Sequence, residues 1–193
     1  MTETKRFPEL IKKLSGHEVV PFDKNDMEDQ ELLDTLELVC KLSIKLMKEK
    51  PILRRRPNEA GNDAEEYVID ALNQYGLKTS PFKKKVGYPD ILFYYKQRPN
   101  YLEIKTYDFK QEGKTSMRTF YLSPAENFKI TYDAHHFLIS FSMKSEPKNN
   151  LLEFEPQKFK IVTLDYLECK LKYEYNADNS DLYNENTILS EGS

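Results

Sequence analysis

The chain has 193 residues, 39% of them apolar and 32% charged, with a formal net charge of −3. That length and balance indicate a single soluble globular domain, or one domain with an N-terminal extension, large enough to bury a sizeable core. No apolar run approaches the roughly 20 residues of a membrane span, and neither a secretory leader nor membrane attachment is expected. Cys40 and Cys169 lie far apart in apolar surroundings. They read as buried free thiols of a cytoplasmic protein rather than a disulfide or metal pair.

Residues 1–25 are mixed, with one helical possibility around Phe7 to Leu14. Over 26–48, Leu32, Leu33, Leu36, Val39, Cys40, Ile44 and Met47 recur at threes and fours, which predicts a long amphipathic helix facing the core; a dimer interface is the alternative use of so broad a stripe. Pro51 and Pro57 bracket an extended basic linker containing Arg54, Arg55 and Arg56. Ala64, Val68, Ala71, Leu72 and Tyr75 then mark a second helix, capped at Asn62 or Asp63 and stopped by Gly76. On it Glu65 lies at the rim of the apolar stripe, and Glu66 is about 100° further round, toward solvent.

Two apolar runs follow, 91–95 and 101–107, with Gln97, Arg98, Pro99 and Asn100 between them, and these read as a β-hairpin. Glu103 and Lys105, two apart, leave the same face of the second strand. Asp90 stands just before the first. A turn around Arg98 and Pro99 would set Asp90 opposite 105–107, so a bend or bulge near Asp90 is required to bring it to Glu103. Beyond the hairpin, 108–119 is polar and reads as a loop, Ser123-Pro124 opens a short helix through about Tyr132 that carries Lys129, and 136–143 and 159–164 read as buried strands. His135 and His136 are adjacent, so on a strand they point apart and fit a strand edge better than a shared metal. From 176 the chain is a polar, acidic tail, partly ordered at best.

Pro89-Asp90 followed by Glu103-Ile104-Lys105 resembles the two halves of the motif of the PD-(D/E)xK nuclease superfamily, and Gly61, Glu65, Leu72 and Gly76 fit the spacing of its preceding helix. The resemblance covers residues 58–143 and, within the superfamily, is most like a type II restriction endonuclease. It implies an α+β fold, a restriction-endonuclease-like core with a mixed β-sheet flanked by helices. The division that follows is an N-terminal helical extension over 1–57, a nuclease core over 58–175 and the tail over 176–193.

The resemblance also implies the site. Asp90, Glu103 and the Ile104 backbone carbonyl would hold Mg²⁺, one or two ions per site with Mn²⁺ able to substitute. Lys105 would orient or deprotonate the attacking water, and Glu65 would hold a metal water or a second metal. The substrate implied is double-stranded DNA, cut at a short symmetric site by a homodimer, with a cognate DNA methyltransferase acting on the same site. A structure-selective repair or junction nuclease is the alternative, and a non-catalytic DNA-binding protein with this fold a further one. Net acidity argues against DNA binding, but the basic residues cluster: Arg54, Arg55 and Arg56; Lys83, Lys84 and Lys85; and Lys110, Lys114 and Arg118, joined by Ser116 and Thr119, are the candidate DNA contacts.

Overall fold

A computed structural model describes residues 4–80, 82, 87–111, 120, 122, 129–170 and 190. The elements in chain order are β1 (Thr4–Arg6), α1 (Phe7–Ser15), α2 (Met27–Glu49), β2 (Ile52–Arg54), α3 (Pro57–Gln74), β3 (Lys78–Ser80), β4 (Ile91–Tyr95), β5 (Arg98–Asp108), a 3₁₀ turn (Phe109–Gln111), β6 (His135–Lys148), β7 (Leu151–Thr163) and β8 (Glu168–Lys170). Six strands form one mixed sheet in the order β2-β7-β6-β5-β4-β3, and β1 pairs with β8 separately. Within the sheet β5 and β6 run parallel and the other neighbours antiparallel. The fold is thus the α+β architecture expected, a mixed sheet flanked by helices. Among the described residues no helix is long and apolar enough to cross a membrane.

The expected long helix is α2. Asp26 caps it, accepting from the backbone N–H groups of Glu28 and Asp29, each at 3.0 Å. Its stripe of Leu32, Leu36, Val39, Cys40 and Met47 is buried with Ala64, Val68 and Leu72 of α3, so the stripe faces the core. Helix α3 begins earlier than the sequence indicates. Pro57 opens it, because a first-turn residue needs no N–H partner and the proline ring presets φ. Asn62 and Asp63 therefore lie inside the helix rather than capping it, and Asp63 instead grips Arg54 through two bonds, Nε–Oδ2 at 2.7 Å and Nη2–Oδ1 at 2.8 Å. The basic linker is in part a strand: β2 pairs with β7, Ile52 against Phe154, which buries Ile52.

Alternation splits the sheet into two faces. Phe93, Leu102, Ile104, Ile139, Phe141 and Met143 pack beneath α2 and α3. Leu92 and Tyr101 join Phe7 and Ile11 of α1, Val19, Ile130 and Ala134 on the other side. The two histidines point apart as expected, but both are buried within the sheet rather than at an edge. His135 Nδ1 donates to the Val20 carbonyl (2.9 Å), while Nε2 lies 3.2 Å from Asp29 Oδ1 and 2.5 Å from Arg98 Nη2. Arg98 also reaches Glu28 (3.0 Å) and Asp29 (3.1 Å), so the start of β5 is pinned to the first turn of α2. Cys169 is half-buried rather than buried. Of the helix expected from Ser123, residues 123–128 lie outside the described residues and 129–132 are not helical. The tail beyond 170 lies outside them too, apart from Ser190.

The hairpin turns two residues earlier than its proline suggests. Lys96 and Gln97 both take positive φ, 45° and 68°, the conformation of a two-residue turn whose twist matches its strands. Arg98, Pro99 and Asn100 already belong to β5, opposite Tyr95, Tyr94 and Phe93. This register puts Leu102 across from Ile91, so that Asp90 comes next to the 102–104 stretch of β5 rather than to 105–107. A non-glycine residue in the left-handed region costs about 1 kcal/mol, so Gln97→Gly is expected to stabilise the protein by about 0.5–1 kcal/mol in urea denaturation. A loss of stability would place the strain elsewhere.

Candidate active site

Ile104 points into the core beneath α3, so its neighbours Glu103 and Lys105 leave β5 on the opposite face. Just ahead of β4 the chain turns inward at Asp90. Its N–H donates to the Leu102 carbonyl at 3.1 Å, and its Oδ2 accepts the Ile104 N–H at 2.7 Å. The Asp90 side chain thereby continues the ladder past its last regular pair, and this inward turn together with the early hairpin closes the gap the sequence left. Within a strand the N–H and C=O of one residue point to the same side. The Ile104 carbonyl therefore also points to the Asp90 side of β5, beyond the last regular pair of the hairpin.

Glu103 is only 4% exposed. Its Oε1 lies 2.5 Å from Lys105 Nζ, while Oε2 is buried with no hydrogen-bond partner among the described residues. Burial, then the Asp90 carboxylate beside it, push the Glu103 carboxyl up to about 7, against the opposing pull of Lys105. Asp90, Glu103 and Lys105 thus converge. Glu65 is half-buried on α3. A Cβ on Gly61 would stand 3.5 Å from Thr106 Oγ1, so that flank of α3 lies against β5, and Glu65, one turn on, leaves the helix on the same flank. It approaches β5 from the helix side, whereas Glu103 and Lys105 face the other way. Glu66 is exposed as expected.

Two adjacent carboxylates, one with a buried oxygen left unmatched, make a donor set that a hard divalent cation fits, and the Ile104 carbonyl adds a third oxygen. Among the described residues no three His, Cys, Asp or Glu side chains gather to hold a metal, so Asp90 and Glu103 would be the side-chain ligands such a cation has here. Of the candidate DNA contacts, Arg54 is engaged by Asp63, and Arg55, Arg56 and Lys110 are exposed. Lys83, Lys84, Lys85, Lys114, Ser116, Arg118 and Thr119 lie outside the described residues.

Sequence reasoning did not assign roles to the residues that hold Asp90 in place. Tyr88 is buried, its hydroxyl 2.7 Å from His136 Nδ1, with Phe7 and Phe120 edge-on to its ring. Burial depresses His136 to about 3, so it stands neutral there. Only adjacency to the Pro-Asp step marks Tyr88 in the sequence, and His136, read there as a strand-edge residue, carries no sign of its bond to Tyr88.

The raised Glu103 carboxyl has a consequence for the metal-free protein. Between pH 4.5 and about 7 the folded state keeps a proton that the unfolded state releases, so this group's contribution to stability falls as pH rises through that window. His136 acts oppositely between about 3 and 6.5, its contribution rising with pH. The informative quantity is therefore the difference between variants. In EDTA, Glu103→Gln is expected to gain on wild type by on the order of 2 kcal/mol from pH 5 to pH 8 in urea melts. A pH-independent difference would mean Glu103 titrates normally.

The model of the type II restriction enzyme MjaV family matches residues 1–186 of the chain. The chain is 36% identical to the type II restriction enzyme MjaV of Methanocaldococcus jannaschii over 206 aligned positions, which cover 96% of this chain and 87% of that protein. No solved structure matches. The match extends well beyond the motif, through α1 and α2 to residue 186, and the chain belongs to the type II restriction enzyme MjaV family.

Proposed function

We propose that this protein is a Mg²⁺-dependent, sequence-specific endonuclease of double-stranded DNA, acting in the cytoplasm as a homodimer on a short symmetric site. The observation that carries the reading is the convergence of Asp90, Glu103 and Lys105 around a buried, unmatched carboxylate oxygen, in a chain of a restriction-enzyme family. A phosphodiester is anionic and resists attack by water, so cleavage needs charge neutralisation, an oriented nucleophile and a stabilised leaving oxygen.

Asp90, Glu103 and the Ile104 carbonyl would hold the cation, which supplies positive charge to the scissile phosphate and acidifies water. Glu103 would release its proton to solvent on taking up a cation, because the added positive charge would offset the Asp90 carboxylate beside it. Lys105 Nζ, held beside Glu103, would orient the attacking water as an ammonium, or take its proton after first giving up its own to solvent. Glu65 would hold a further water or a second metal from the helix side. A cell keeping such an enzyme must protect its own DNA, and a cognate methyltransferase acting on the same site is the partner activity this function requires.

Incubation with plasmid or phage DNA and Mg²⁺ is expected to give discrete bands, and EDTA to prevent them. A smear, or cleavage of branched DNA alone, would favour a structure-selective nuclease, and binding without cleavage a non-catalytic protein. Asp90→Ala and Lys105→Ala are each expected to slow cleavage about 100- to 10,000-fold while melting cooperatively. Wild-type cleavage by either variant would overturn the site.

A further inference from the structure

We propose that Lys129 is a positioning residue for the metal site, fastening the segment that delivers Asp90. Its Nζ donates to the Gly87 carbonyl at 2.5 Å and to the Pro89 carbonyl at 2.7 Å, the two carbonyls on either side of Tyr88. The Pro89 carbonyl belongs to the peptide unit that leads directly into Asp90. No regular ladder reaches this segment, since β4 begins at Ile91. Its orientation depends on whatever else grips it.

The grip is itself anchored. Tyr101 is fully buried on β5 two residues before Glu103, and its hydroxyl accepts the backbone N–H groups of Thr131 (2.7 Å) and Tyr132 (3.2 Å). Between these and Lys129, Ile130 is buried in the same cluster as Tyr88, Tyr101 and Phe7. The stem of Lys129 brings its ammonium 4.9 Å from the Phe82 ring centre. A continuous set of contacts therefore runs from β5, through Tyr101 and residues 129–132, to Lys129 and on to the Gly87–Pro89 backbone. One strand sets both partners of the site, Glu103 directly and Asp90 by this second route. An ammonium with three donors suits two converging carbonyls. Removal of such outer support around a metal carboxylate typically weakens metal binding 10- to 100-fold.

The inference rests on the metal-dependent reading of the site. The test is a Mn²⁺ titration of the full chain without DNA, read by the electron paramagnetic resonance signal of the free ion. Wild type, Lys129→Met and Asp90→Ala are compared, with Mg²⁺-dependent plasmid cleavage alongside. Methionine keeps an unbranched stem over Phe82 and removes every donor. For Lys129→Met the apparent Mn²⁺ Kd, and the Mg²⁺ needed for half-maximal cleavage, are expected to rise about 10- to 100-fold. KM for DNA should stay within about twofold, saturating Mg²⁺ should recover most of kcat, and Lys129→Arg should restore part of the affinity. Wild-type Mn²⁺ affinity in Lys129→Met, with or without a lower Tm, would reduce Lys129 to a brace and overturn the proposal. A loss confined to KM for DNA would make it a phosphate contact and overturn it equally. Should Lys129→Met not fold, Lys129→Gln carries the same comparison, with intermediate weakening expected and unchanged affinity contradicting the proposal. If wild type and Asp90→Ala titrate alike, the metal reading itself fails, a result distinct from failure of Lys129 alone.

Discussion

One hydrogen bond, from the Ile104 N–H to Asp90 Oδ2 at 2.7 Å, joins the two halves of the site, and it exists only in one register of the hairpin. A slip of one residue between β4 and β5 would exchange the faces of every side chain on the slipped strand. It would turn Ile104 out of the core and Glu103 into it. The register is secured at several points. The Lys96-Gln97 turn sets it from the tip, with Lys96 paired to Glu31 on α2. Arg98 and His135 lock the start of β5 to Asp29, and the parallel partner β6 fixes Asn100 through Asp108 from the other side. Geometry at the site is therefore inherited from contacts far from it.

What this framework holds is electrostatically uncomfortable. Glu103 has lost most of its hydration, faces a second carboxylate and is relieved only by Lys105. Asp90 is in a different position, since one of its oxygens is committed to a backbone N–H and it stays partly solvated. Two acids of nearly the same intrinsic strength thus differ in environment, one poised near neutrality by burial and the other tied to the main chain. Such an arrangement disfavours the state in which both carboxyls are ionised and nothing offsets them, so a positive charge placed beside the pair would be stabilising.

The legible part of this design was local. Glu103 and Lys105 share a face because strand periodicity is two, Asp90 precedes an apolar run, and α2 shows its stripe at threes and fours; each needs only neighbouring residues to be seen. The turn was misplaced because Pro99 is a familiar turn residue, whereas Lys96 and Gln97 carry none of the Gly, Asn or Asp signals that mark positive φ. In the structure Pro99 is a strand residue opposite Tyr94. The start of α3 was missed for a related reason: Asn62 and Asp63 are good caps by composition, but Asp63 is engaged by Arg54 from β2. The partners of His136, Tyr101 and Lys129 are not legible in the sequence because they lie 30 to 48 residues away. No window along the sequence contains both ends of those bonds.

The same distinction bears on how an acidic chain can act on DNA. A formal charge of −3 gives no long-range attraction to a polyanion, so affinity has to arise from local groups. Runs of basic residues are an imperfect guide to those groups. Arg54 heads the most conspicuous run and is bound by Asp63, and Lys96 belongs to Glu31, so both serve the fold. Lys105, isolated in sequence, stands beside the acids instead. Among the described residues, then, a basic side chain that stands out in sequence can be bound into the fold, as Arg54 and Lys96 are, while one that does not lies beside two carboxylates.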